Sequence, residues 1–131
     1  MGNKRTYEGL QENVRDLVLP EIETWENKYR DKKYVIRIDT PEFTCVCPKT
    51  ALPDFAHIYI EYMPSGLCLE LKSFKEYLLA YREIGIFHEH VINRILEDLV
   101  KSTKPRWMKV KGVFNTRGGI TTEVEAEYKS K

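Results

Sequence analysis

WMKVKGVFNTRGGITTEVEAEY, residues 107–128, carries two strand patterns around one turn. In 107–115, Met108, Val110 and Phe114 fall on one face. T-R-G-G at 116–119 is a turn. From 120 to 128 the chain alternates, with Ile120, Thr122, Val124, Ala126 and Tyr128 opposite Thr121, Glu123, Glu125 and Glu127. Such a strand has one face to bury and one to leave in water.

Immediately before this hairpin come two helical patterns. Residues 88–102 space Val91, Ile92, Ile95, Leu96, Leu99 and Val100 at helical intervals. Residues 74–82 place Phe74, Tyr77, Leu78 and Tyr81 on one stripe, with Ser73 as the expected N-cap and a break at Gly85. Earlier still, KYVIRI (33–38) and AHIYIEYM (56–63) read as strands. P-S-G at 64–66 turns the chain, and LCLEL (67–71) returns as the hairpin partner of 56–63. DTPEFTCVCPKTALPDF, residues 39–55, reads as a long loop punctuated by Pro41, Pro48 and Pro53. Such a loop in a small domain points to function. After Pro20, EIETWENKY suits either a short helix or an extended arm packed on a neighbour.

Strand pair, helix pair, strand pair predicts an α+β layer, ββααββ, with antiparallel sheet on one side and two helices on the other. Residues 1–19 are expected to form a weakly structured N-terminal arm, and 20–131 a single domain. An open sheet leaves edges that invite pairing with another subunit. The active site is then expected between subunits.

A length of 131 residues suits one domain. Lys and Arg total 21 against 20 Asp and Glu, so no global charge favours a nucleic-acid partner. Three cysteines, Cys45, Cys47 and Cys68, are too few and too odd for a disulfide framework and fit a reducing cytosol. The polar start MGNKRTYEGLQENV and the short apolar runs argue against a signal segment or a membrane helix. The expectation is a soluble cytoplasmic protein.

Cys47 stands beside Lys49, and a nearby cation favours thiolate. Asp54 follows at the start of a strand. A cysteine nucleophile and a carboxylic acid together suit addition to an electrophilic carbon; the blander reading is a structural loop cysteine. Cys45-x-Cys47 with His57, His88 and His90 is a poor zinc signature, and unligated thiols are the better reading. Lys72 sits just before a helix and Lys75 in its first turn, a combination suited to phosphate; a solvated basic face is the alternative. Glu70, opposite Leu67, Leu69 and Leu71, is either a surface carboxylate or a ligand for a base with two N–H donors. In FHEH (87–90), Glu89 either compensates the helix N-terminus or serves function.

EFTCVCPKTALPDFA, ELKSFKEYLLAYR, FHE and RGGI, in this order, resemble the NADPH-dependent 7-cyano-7-deazaguanine reductases, the nitrile oxidoreductases of queuosine biosynthesis, in their short single-module form. The resemblance covers residues 20–128 or so, and Glu70-Leu71-Lys72-Ser73-Phe74-Lys75 carries the cofactor-associated pattern. It implies a tunnelling fold, with subunit sheets joined into a barrel, rings stacked in pairs and active sites at interfaces. It implies that Cys47 attacks the nitrile carbon to give a thioimide and that Asp54 donates the proton. It assigns the deazaguanine base to Glu89 with His88, and further substrate contact to Leu69, Glu70 and Leu71. Lys72 and Lys75 correspond to the NADPH-linked motif, and Arg117 in the RGG turn is a further cofactor candidate. Cys45 occupies a place where this mechanism needs no thiol.

A nitrile accepts hydride poorly. Thiolate addition makes it a C=N bond that hydride can attack, and loss of thiolate afterwards leaves an imine for a second hydride. The site must hold that imine away from water. The runner-up is a related family that adds ammonia to the same nitrile on tRNA. It would share Cys47 and Asp54, but the ELKSFK motif argues for the reductase.

Overall fold

Alternation of apolar and polar residues builds the main sheet, because only one face of each strand finds cover. The computed structural model describes residues 8–131. Its four-stranded sheet contains β2 (Ile36–Val46), β3 (Pro53–Met63), β5 (Trp107–Arg117) and β6 (Ile120–Lys129), antiparallel in the order β2-β3-β5-β6. A two-stranded sheet pairs β1 (Thr24–Glu26) with β4 (Leu67–Leu69). The helices α1 (Leu71–Leu79), continued by a 3-10 turn Ala80–Glu83, and α2 (His88–Thr103) lie between the two strand pairs in sequence. The architecture is the α+β one expected, with both helices joining the core on one face of the main sheet.

Ile58, Ile60, Val110 and Met108 project from the sheet onto Ile92, Ile95 and Leu99 of α2, all essentially without solvent contact. Burying one such side chain contributes roughly 1.5–3 kcal/mol. Gly112 lets α2 approach closely: a Cβ there would stand 2.5 Å from Ile92 Cδ1. The expected face of β6 is half-buried, and Glu123, Glu125 and Glu127 face outward.

Several expectations give way. Residues 39–55 are not a long loop: β2 runs to Val46 and β3 begins at Pro53. Pro41 is accommodated at a register shift between Thr40 and Phe43, where a bulge relieves the ladder of its missing N–H. Beyond the bulge, Phe43 and Cys45 turn inward. Residues 67–71 do not form a hairpin with β3. β4 pairs with β1 instead, and Leu69 N–H donates to the Tyr62 hydroxyl at 2.9 Å. Of the two readings of the segment after Pro20, the extended one holds, with β1 at Thr24–Glu26. The N-cap of α1 is Glu70 rather than Ser73. Ser73 Oγ donates to Glu70 O and accepts from Glu23 N–H, which ties the β1 arm to the helix.

Residues 8–16, expected to be weakly structured, form 3-10 turns with a kink at Asn13. They are held on α2 by the buried Arg94, whose guanidinium donates to Val14 O and Leu17 O and pairs with Asp98 at 2.8 Å. Asp98 also accepts from Tyr77, whose hydroxyl meets that of Tyr81. Residues 1–7 of the expected arm lie outside the described residues.

Candidate active site

Strand parity places the acid. Asp54 shares the core-facing side of β3 with Ala56, Ile58 and Ile60, but it lies at the strand's start, where α2 begins above it. It is therefore buried yet meets a histidine instead of the core: His88 Nε2 is 3.0 Å from Asp54 Oδ2. Phe114, on β5 opposite Ala56, stacks under the His88 ring at 3.6 Å and fixes its plane. Arg117 Nη1 donates to Asp54 Oδ1 at 3.2 Å and also to Pro53 O. The carboxylate is thus flanked by an imidazole and a guanidinium.

The nucleophile candidate sits on the β2–β3 connection. Cys47 N–H donates to Leu52 O and Ala51 N–H to Cys47 O, both at 2.8 Å, closing a single α-turn with Pro48 at its first position. Ala51 has a positive φ of 60° there. In this turn Cys47 holds the place of an N-cap, so the backbone N–H groups of Lys49 and Thr50 point at its sulfur. Burial pushes the Cys47 thiol up, and the Asp54 charge does so too. The Thr50 hydroxyl and the two N–H groups outweigh them and hold it below the ordinary thiol value. Lys49 acts on the sulfur through its backbone N–H. Cys45 is the contrary case: fully buried, it is pushed up to about 12 by desolvation first, then by Asp54 and Cys47. All three cysteines are free thiols.

The start of α2 is pinned beside Cys47. Val46 N–H donates to Ile84 O and Ile86 N–H to Val46 O, each at 3.0 Å, so residues 84–86 run along the end of β2. Cys47, Thr50, Asp54, His88, Glu89 and Arg117 consequently border one open cleft of about 360 Å³, with Phe87 and Ile120 as apolar walls. The cleft is large enough for a bicyclic base.

Five of the expected site residues lie elsewhere within one chain. Leu69 is buried in β4. The Glu70 carboxylate accepts from Lys72 N–H at 2.9 Å and Ser73 N–H at 2.7 Å, and these bonds hold it below the ordinary carboxylate value. It is a helix cap here, and it occupies the N–H groups that would have met a phosphate. Leu71 is exposed at the first turn of α1, and Lys72 and Lys75 are exposed on the same helix. Leu71 and Lys75 border a different cleft, of about 250 Å³, together with Phe74, Leu79 and Arg82. Arg117, expected near cofactor, is in contact with Asp54.

Thr50 was not singled out from sequence, although C-P-K-T displays its signal: a hydroxyl three residues after the cysteine, around a proline at the start of a turn. His57, weighed as a metal candidate, stacks on Tyr59 at 4.1 Å and lies 3.3 Å from Asp39.

Residues 53–131 match the family model described as QueF-like protein. The NADPH-dependent 7-cyano-7-deazaguanine reductase of Elusimicrobium minutum is 56% identical over 113 residues, 86% of this chain and 85% of that protein. The protein of the same description from Chloroherpeton thalassium is 54% identical over 84% of this chain and 95% of its own. A crystal structure of the archaeosine synthase QueF-Like in the apo form superposes with a TM-score of 0.68 at 29% identity, covering 74% of this chain and 95% of that one. The α+β fold has a counterpart in that structure, and this chain belongs to the QueF-like protein family.

Proposed function

We propose that this chain reduces the nitrile of 7-cyano-7-deazaguanine to the 7-aminomethyl base with NADPH, through a covalent thioimide on Cys47. The single observation that carries the reading is a thiol held below its ordinary value in one cleft with the buried Asp54–His88 pair. The names of the relatives above supply the substrate and the cofactor.

The Cys47 thiolate adds to the nitrile carbon. A carbon–sulfur bond forms, one π bond of the C≡N group breaks, and the proton released by the thiol, taken up by Asp54, passes to the nitrogen. His88 Nε2, 3.0 Å from Asp54, gives a route for returning that proton. NADPH, when bound, supplies hydride to the substrate carbon in each of two rounds. Between the rounds Cys47 departs as thiolate, and the Thr50 and Lys49 donors that favour the ionised nucleophile also favour it as leaving group. Phe87 and Ile120 give the intermediate imine an apolar wall in the cleft. Glu89, in the first turn of α2 and on the cleft rim, anchors the N–H edge of the base, with His88 beside it.

Lys72 and Lys75 suit the cofactor phosphates by charge, and Arg82 adds a third cation near Lys75. Since the N–H groups at the start of α1 are taken by Glu70, the lysine side chains carry this role. These lysines and the Leu69–Leu71 stretch do not border the Cys47 cleft. They reach it from a neighbouring copy of the chain. Edge strands β2 and β6 offer the surfaces for joining sheets into a barrel, with stacked rings as the complete assembly. Residues 20–131 carry the reacting and cofactor-binding side chains. Free thiols fit a cytoplasmic setting.

The test follows NADPH absorbance in the presence of the nitrile base. The reading requires two NADPH oxidised per amine formed. No NADPH consumption, or an amidine product dependent on ammonia, would overturn it.

A further inference from the structure

The start of α2 lacks a cap of its own. Its N-cap residue is Phe87, which has no side-chain acceptor to offer, and the third helical residue is His90, where a capping box would place Glu or Gln. In such a box the third residue's side chain reaches back to the N-cap N–H. That bond exists here, but a distant residue makes it. Gln11 Oε1 accepts from Phe87 N–H at 3.2 Å, and His90 Nδ1 lies 2.9 Å from the same oxygen. Gln11 Nε2 donates to Gly85 O at 2.8 Å.

One carboxamide therefore clamps residues 85, 87 and 90 across more than seventy residues of sequence. From the other side, Val46 holds Ile84 and Ile86 through two backbone hydrogen bonds. His88 and Glu89 sit inside this bracket. Glu89 borders both the Cys47 cleft and the groove between the 8–16 segment and α2. Gln11 lies outside the residues matched by the family model.

We infer that Gln11 is a positioning residue for base recognition, setting the direction of His88 and Glu89 by supplying the missing half of the α2 capping box. The inference rests on reading His88 and Glu89 as the base-anchoring pair. Gln11 does not border the Cys47 cleft, so loss of its side chain should act on the nitrile base and leave the thiol unaltered.

The test is steady-state kinetics of the full chain. Gln11→Ala is expected to raise KM for the nitrile base about tenfold or more. KM for NADPH and the rate of Cys47 alkylation should stay unchanged. Gln11→Glu keeps the acceptor for Phe87 N–H and should recover part of the loss. Arg15→Ala breaks the exposed pair with Glu97 that docks the same segment and should leave KM for the base unchanged. A base KM in Gln11→Ala within twofold of the parent would overturn the inference. So would an equal rise in Arg15→Ala, which would assign the effect to docking of the segment. Glu89→Leu is the control: undiminished base binding there would refute the site reading itself, a result distinct from either.

Discussion

Thr50→Val tests how the Cys47 thiolate is held. Valine keeps the volume and the β-branching of threonine, so the turn that starts at Pro48 retains its backbone preference. What is lost is one of three donors to the sulfur, the other two being the N–H groups of Thr50 and Lys49. Leu52 N–H also loses the Thr50 Oγ contact at 3.2 Å. A hydrogen bond to an ionised partner contributes about 1.5–3 kcal/mol. The cleft is open to water, so the lower figure applies, and it corresponds to roughly tenfold less thiolate at any pH below both midpoints. A more basic thiolate is also the better nucleophile, which recovers about threefold of that loss. The net expectation below both midpoints is alkylation slowed about threefold. A donor to sulfur favours the charged form, so its removal must raise the thiol pKa and move the rate–pH curve to higher pH. Well above both midpoints the variant should react faster than the parent. The assay is iodoacetamide alkylation followed by intact mass across pH. A curve that stays in place, or moves to lower pH, would refute the claim that the Thr50 hydroxyl stabilises the thiolate.

Asp54→Asn should lower kcat by about 10²–10⁴ while the nitrile base binds within a few-fold of the parent, because a positioned proton donor is removed and the cleft is kept; equilibrium binding and turnover measured together check this. Arg94→Met removes one partner of a buried ion pair and leaves Asp98 behind with Tyr77. It should destabilise the fold by about 3–5 kcal/mol in chemical denaturation, and an unchanged midpoint would show that the buried network is not needed.

The parts of the fold legible in the sequence are those with sustained local periodicity. Residues 88–102 show an apolar stripe, and α2 occupies His88–Thr103. Residues 120–128 alternate, and β6 occupies Ile120–Lys129. The failures are non-local. β4 pairs with a three-residue strand more than forty positions upstream, and nothing inside LCLEL announces that partner. Pro41 disguised the length of β2, because the bulge that tolerates it is a property of the pairing and not of the residue. Ser73 is the commoner capping residue, yet Glu70 takes the cap because β4 delivers it with an extended backbone at the right distance.

The site divides along the same line. Cys47 and Asp54 could be singled out as residues, and the cleft that contains both follows from β2–β3 register and the placement of α2. The contacts of Asp54 with His88 and Arg117, each more than thirty residues distant, come only with the fold. Lys72 and Lys75 lie on α1, and neither borders the cleft that holds the cysteine.

The most direct measurement is the intact mass of the chain after exposure to 7-cyano-7-deazaguanine without NADPH. Addition of a thiol across a nitrile expels nothing, so the account predicts a gain of the whole base mass, mapped to the peptide containing Cys47 and absent in Cys47→Ala. An unmodified chain that nonetheless reduces the base when NADPH is supplied, or an adduct on another residue, would contradict it.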